Sequence, residues 1–152
     1  MIIGIDPGQT GALAFCDKGK IIAVVDMPIM ARTYGKGNQV DPYALATILL
    51  DNNAQRATYA MVEQVGAMPG QGGVSMFNFG QSVGIVLGVL GALQIPVHFV
   101  SPQRWKKSAG IINKEKDAAR TVAIQQHPEV ADMLTRKKDI GRADAVLIAR
   151  FG

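Results

Sequence analysis

Two short apolar runs that each end on a carboxylate constrain this chain more than any other feature. Residues 1–5 lead into Asp6, and residues 58–62 lead into Glu63. Runs of this length read as strands. A carboxylate that closes an apolar strand loses hydration unless a donor or a cation replaces the water. Strand ends on one sheet edge bring such groups close together, and like charges coexist there only with a proton or metal ion between them. The pattern predicts a sheet edge carrying paired acids. Asp144, heading the apolar run 145–149, is a third candidate to point inward, and Asp139 lies just ahead of it. Singly, each acid reads equally well as a cap, a turn residue or a solvated charge; their joint placement points to chemistry.

The rest of the chain supplies a frame for that edge. Residues 1–5, 10–15 and 20–25 read as three antiparallel strands, with Pro7-Gly8 and Asp17-Lys18-Gly19 as turns. Residues 31–39, containing Arg32, Gly35, Lys36 and Gly37, read as a mobile loop. Asp41-Pro42 predicts a helix start, with Asp as N-cap and Pro in the first turn, running to about Leu50. The strand at 58–62 is followed by a glycine-rich loop at 66–73 and a helix over 75–93. Glycines 80, 84, 88 and 91 line one face of that helix. Glycine costs about 1 kcal/mol in a helix interior, so another backbone is expected to approach closely there. Beyond it come a strand at 97–100 and a short helix from Ser101-Pro102 through Lys107. A helix over 113–126 capped by Asn113, a short one after His127-Pro128, and a last one over 141–151 complete the chain. The order predicts the α/β class: a mixed sheet covered by helices, with residues 1–152 as one domain.

Charge is distributed unevenly along this frame. The net charge is +4, yet residues 1–100 hold five Lys/Arg against six Asp/Glu, and residues 101–152 hold eleven against six. A basic C-terminal third suits a polyanion docking on one side. One cysteine and two histidines exclude a zinc site built from those residues, so the carboxylates point to magnesium, with manganese as a substitute. Cys16 has no partner for an internal disulfide and lies in an apolar run, which predicts a buried thiol in a reducing compartment, the cytoplasm. The chain opens directly into a strand pattern, so no signal peptide is expected. The longest apolar stretch, 83–93, falls short of the roughly 20 residues of a membrane span. It is expected to be a core helix, with no membrane partner.

Four segments carry a family resemblance. Gly4-Ile5-Asp6-Pro7-Gly8-Gln9-Thr10-Gly11 resembles the first motif of RuvC-type Holliday-junction resolvases, and Val62-Glu63-Gln64-Val65 their second. Phe79-Gly80-Gln81-Ser82-Val83-Gly84 is similar to the helix that follows. Lys137-Lys138-Asp139-Ile140-Gly141-Arg142-Ala143-Asp144-Ala145 resembles the closing motif as bacteriophage members write it, in which case the cytoplasm is that of the host. Together they span residues 4–145. The resemblance implies a ribonuclease H-like mixed five-stranded sheet flanked by helices, and a homodimeric endonuclease that cuts four-way junctions and other branched DNA. It implies two Mg2+ ions held by Asp6, Glu63, Asp144 and a fourth group, and hydrolysis with a water activated on one side of the phosphorus and the leaving oxygen stabilised on the other.

The fourth group is where this sequence departs. Relatives place Asp or His three or four residues before the last acid, where this chain has Gly141 and Ile140. Asp139 is five residues before, roughly 140° out of helical register. It serves only from the loop ahead of the helix; otherwise the site has three acids. Arg104, Lys106, Lys107, Lys114, Lys116 and Lys138 are candidates for DNA phosphates, although a solvated basic surface explains them as well. Phe77, beside the glycine-rich loop, is a candidate for stacking on unpaired bases, with a split of Phe77 and Phe79 between core and surface as the alternative. Trp105 reads as either a core anchor or a DNA contact. The glycine face of the 75–93 helix suits either a second copy across a two-fold axis or the chain's own sheet. Two other functions fit parts of the pattern. An actin-like ATPase shares the Asp-Pro-Gly turn but needs two such domains, and a junction-binding protein without cleavage would follow from the missing fourth ligand.

Overall fold

The computed structural model describes residues 1–33, 35–66, 70 and 72–152. Strands β1 (Ile2–Asp6), β2 (Ala12–Asp17) and β3 (Lys20–Asp26) form an antiparallel meander. The tight β2–β3 reversal places Lys18 and Gly19 at positive φ, 48° and 81°, a conformation glycine adopts without steric penalty. A separate two-stranded hairpin, β4 (Ile29–Ala31) with β5 (Asn38–Val40), follows. Next come α1 (Pro42–Asp51), β6 (Tyr59–Glu63), α2 (Gly73–Ala92) and β7 (Val97–Val100). Helices α3 (Pro102–Ser108), α4 (Ala118–Gln126) and α5 (Ile140–Phe151) complete the chain. Strands β6 and β7 run parallel to β1, giving a five-stranded mixed sheet of order β3-β2-β1-β6-β7, the architecture expected from the sequence.

The two faces of the sheet differ in side-chain size. Ile3, Ile5, Leu13 and Phe15 point toward α1 and α2, where they pack with Leu45, Leu49, Val86 and Leu90. Ala12, Ala14 and Cys16 alternate onto the other face with Met61, under Trp105 and the buried side of α5. Small side chains let a helix sit close. A Cβ on Gly4 would overlap the Ala145 carbonyl oxygen and the Ala149 amide nitrogen. Most of α5 is accordingly buried, from Gly141 to Ala149.

Several expectations need correction. The segment 31–39, read as a mobile loop, contains the β4–β5 hairpin, closed by the Arg32 amide donating to the Gly37 carbonyl at 3.1 Å. The helix predicted from Asn113 begins only at Ala118, because Asn113 is left-handed at φ 59° and the intervening residues turn. The expected close approach on the α2 glycines is not seen among the described residues: none of them lies within 4 Å of a Cβ placed at Gly80, Gly84, Gly88 or Gly91. Helix α2 is a core helix on one face only: Val86 and Leu90 join the core with Ile85, Val89 and Leu93 packed against it, and Gly80, Gly84 and Gly88 are exposed on the other. The apolar stretch was also read as too short: by length and composition α2 is long and apolar enough to cross a membrane. Of the glycine-rich loop, residues 67–69 and 71 lie outside the described residues. Cys16 is buried, as expected.

Candidate active site

Parallel pairing of β1 with β6 brings the first two acids together. Ile5 pairs with Val62, so Asp6 and Glu63 leave the sheet side by side at the carboxyl ends of neighbouring strands. The turn after β1 wraps the first of them. The Gly8 amide donates to Asp6 Oδ1 at 3.2 Å, and a Cβ on Gly11 would stand 2.8 Å from the Asp6 carboxyl carbon. Glu63 is reached from the other side. It pairs with Val100 at the end of β7, so α3 starts beside it, with the Ser101 hydroxyl accepting from the Arg104 amide. The fully buried Trp105 then donates its indole Nε1–H to Glu63 Oε1 at 2.8 Å. Asp144 comes from the second turn of α5, and that helix reaches the site because Gly141 lies against the Thr10–Gly11 backbone.

The three acids feel one another. Burial pushes the Asp144 carboxyl up to about 7, and the negative charges of Asp6 and then Glu63 add to the rise. Burial likewise raises Asp6 against the Gly8 amide and Lys106. It raises Glu63 as well, opposed first by the Trp105 hydrogen bond. Lys106 is the one cation that lowers all three. Sequence reasoning could not choose among the lysines; α3 makes the choice by turning Lys106 inward, its ammonium 5.2 Å from the Trp105 ring centroid.

A cavity of about 750 Å³ opens on this edge, lined by Asp6 and Asp144, by Lys106, Lys114, Lys116 and Lys138, and by an apolar wall including Ile112 and Ile140. Among the described residues, no three carboxylate, imidazole or thiol groups converge into a ready-made metal cage. The donors at the edge are all oxygens, and two carboxylates share the cavity. That set suits a hard divalent cation that keeps several of its waters, as magnesium does.

Asp139 is not brought to the other acids. Its side chain is 2% exposed and paired with Arg136, Nη2 to Oδ1 at 2.6 Å, while its Oδ2 accepts from the Arg136 amide at 2.8 Å. The Arg136 guanidinium holds its carboxyl below the usual range. Asp139 closes the turn Lys137–Asp139 before α5 and does not line the cavity. Of the two positions where the resemblance implies an acid or imidazole, Ile140 lines the cavity with an apolar side chain, and Gly141 has no room for a side chain, because a Cβ there would overlap the Thr10 carbonyl oxygen. Arg104 and Lys107 are exposed on α3, outside the cavity lining. Phe77 is 72% exposed on α2, whereas Phe79 turns inward and borders a smaller pocket with Val65 and Val83. Trp105 is a core anchor. Its bond to Glu63, across 42 residues, left no local signal in the sequence.

No family model matches the chain. Over 96 residues, 62% of this chain, it is 36% identical to the chloroplastic Holliday junction resolvase MOC1 of Chlamydomonas reinhardtii, and the match covers 11% of that relative's length. Among solved structures it is similar to Thermus thermophilus RuvC in complex with a Holliday junction substrate, with TM-score 0.59, 17% identity, and 97% and 89% of the two chains covered. A second Thermus thermophilus RuvC structure matches at TM-score 0.54 and 17% identity, over 97% of this chain and 90% of the other. The chain is therefore a homologue, over that stretch, of a Holliday junction resolvase, and it has the fold of RuvC.

Proposed function

We propose that residues 1–152 form one nuclease domain that cuts four-way and related branched DNA by metal-assisted phosphodiester hydrolysis. The observation that carries this reading is that Asp6 and Asp144 face one cavity with Lys106, Lys114, Lys116 and Lys138, while Glu63, at the neighbouring strand end, is close enough for its charge to raise Asp144. The similar resolvase and the RuvC fold support it. In this reading Asp6, Glu63 and Asp144 hold divalent cations, two by analogy with other phosphodiester hydrolases, Mg2+ or Mn2+. Such ions supply a lowered water pKa and charge neutralisation at the leaving oxygen. The chain's own groups do the rest. The Gly8 amide orients Asp6. Lys106 offsets negative charge beside the acids, and the cavity lysines seat the flanking phosphates. Arg104 and Lys107 extend the basic surface outward along α3. Phe77 stands exposed for stacking on an unpaired base. Because α2 keeps four glycines open along one face, we assign that stretch to a second copy, giving a two-fold dimer that makes paired cuts, and leave Phe77 at the helix start to the DNA.

The test is cleavage of a labelled four-way junction, with linear duplex of the same sequence alongside, in Mg2+ and in EDTA. The proposal expects paired nicks in the junction arms in Mg2+ only, abolished in Asp6→Asn. Tight junction binding without cleavage in Mg2+ or Mn2+ would favour a binding protein, for which the absent side chain at Gly141 is the observation in support.

A further inference from the structure

We infer that Trp105 is a positioning residue for the site. Its indole N–H fixes one oxygen of Glu63, so that the carboxylate presents only its other oxygen to a cation. This rests on the nuclease reading above and deepens it. The geometry has three parts. The indole Nε1–H reaches Glu63 Oε1 at 2.8 Å, the one hydrogen bond to this carboxylate among the described residues. The ring is wholly buried, packed with Ile111, Val146 and Leu147 of the same core, so packing and not solvent sets the donor's position. The same ring lies under the Lys106 ammonium at 5.2 Å, which ties the orientation of that cation to the orientation of Glu63.

The chemistry of the donor sharpens the point. An indole N–H donates and never accepts, so it holds the ionised carboxylate and offers nothing to a competing proton donor. A rigid ring keyed into the core loses little entropy on forming the bond. Glu63, on a side chain with three torsions, would otherwise sample several rotamers at the strand end. Asp6 has its own short tether through the Gly8 amide. Among the described residues Glu63 has no equivalent backbone donor and takes its tether from α3. The start of α3 is fixed in turn by the Ser101 cap and Pro102. A buried indole needs an acceptor for ordinary folding reasons, so the experiment must separate positioning from packing.

The chain contains a single tryptophan, which makes that separation direct. Biosynthetic replacement of tryptophan by its benzothiophene analogue swaps N–H for sulfur at this position alone, with nearly unchanged ring shape. The full chain, wild type and analogue, would be compared by thermal melting, junction binding in EDTA, Mn2+ binding followed by electron paramagnetic resonance, and single-turnover cleavage. The proposal expects melting and junction affinity to stay as in the wild type, while Mn2+ affinity and cleavage rate fall about 10–100-fold, the usual effect of removing a partner behind a metal ligand. Trp105→Phe should show the same fall in Mn2+ affinity. In wild-type protein without metal, the lone indole N–H resonance should be protected from exchange and should shift in Glu63→Leu. Unchanged Mn2+ affinity and rate in the analogue would overturn the inference. So would parallel losses of melting temperature, junction affinity and metal affinity, which mark a packing role. A wild type that neither binds Mn2+ nor cleaves would overturn the nuclease reading itself, and the positioning role with it.

Discussion

Helices α5 and α2 carry the same sequence device and meet opposite fates. Each has small residues every four positions: Gly141, Ala145 and Ala149 on α5, and Gly80, Gly84 and Gly88 on α2. On α5 the stripe is pressed against the sheet, with Gly4 and the Thr10–Gly11 turn so near that no extra carbon fits. On α2 the glycines face open space, and Val74 and Phe77, 77% and 72% exposed, extend the same bare surface. The difference lies in what each helix has to meet. Gly4, Ala12 and Ala14 form a matching flat surface for α5 within the chain, whereas no element offers one to the glycines of α2. A small-residue stripe therefore states that something will come close, and only the partner surface says whether it belongs to the same chain.

The largest expected effect comes from the acid that α5 buries along with its stripe. The Asp144 carboxyl titrates near 7 in the fold against 3.8 ordinarily. Between pH about 4 and about 7 the native state then holds a proton that the unfolded chain has released. Stability should fall as pH rises through that window, by on the order of 4 kcal/mol in metal-free protein. Asp26 and Asp139 are shifted downward, so their stabilising contributions disappear only in more acidic solution. Burial raises Asp6 and Glu63 as well, so they slope the same way; denaturant unfolding in EDTA across this range checks the slope, which Asp144→Asn should reduce but not remove. A flat wild-type curve would break the assignment of a buried, coupled acid to α5. Helix α2 has no ionisable side chain and contributes nothing to the slope.

Steric tests follow. Gly4→Ala puts a carbon into the α5 backbone and should cost about 3 kcal/mol, the upper range for overpacking, read by thermal or denaturant unfolding. Gly141→Asp, which puts a carboxylate at one of the two positions the resemblance implies, should destabilise by about 2 kcal/mol and leave cleavage no faster than wild type. A faster, stable variant would show that the Thr10 turn yields easily. The smallest effect belongs to α2. Gly84→Ala should stabilise the isolated chain by about 0.5–1 kcal/mol through helix propensity, yet weaken self-association in sedimentation experiments if a second copy covers that face. Stabilisation with unchanged association would remove the dimer from α2.

These contrasts also show what the sequence made legible. Asp6 and Glu63 were readable because each closes an apolar run, and the β1–β2–β3 meander follows from the turns between its runs. Asp144 was readable because it directly precedes the apolar run 145–149. The hairpin at 29–40 was missed because its strands are three residues long and the segment between them is rich in glycine. The start of α4 was misplaced because Asn113, a good cap by type, sits in a left-handed turn. Asp139 drew attention by proximity to Asp144, but its partner is Arg136, three residues away, in a local capping contact that composition does not separate from ligation. The Trp105–Glu63 bond and the inward turn of Lys106 depend on where α3 docks, and no local pattern encodes that.

In the proposed nuclease centre, Asp6, Glu63 and Asp144 support cleavage without help from Asp139. The most direct measurement compares wild type and Glu63→Gln on a labelled four-way junction in Mg2+, scoring binding and cleavage in the same reactions. The account predicts symmetric nicks by the wild type, and an intact junction bound just as tightly by the variant. Equal cleavage by both proteins, or none by either at saturating binding, would contradict it.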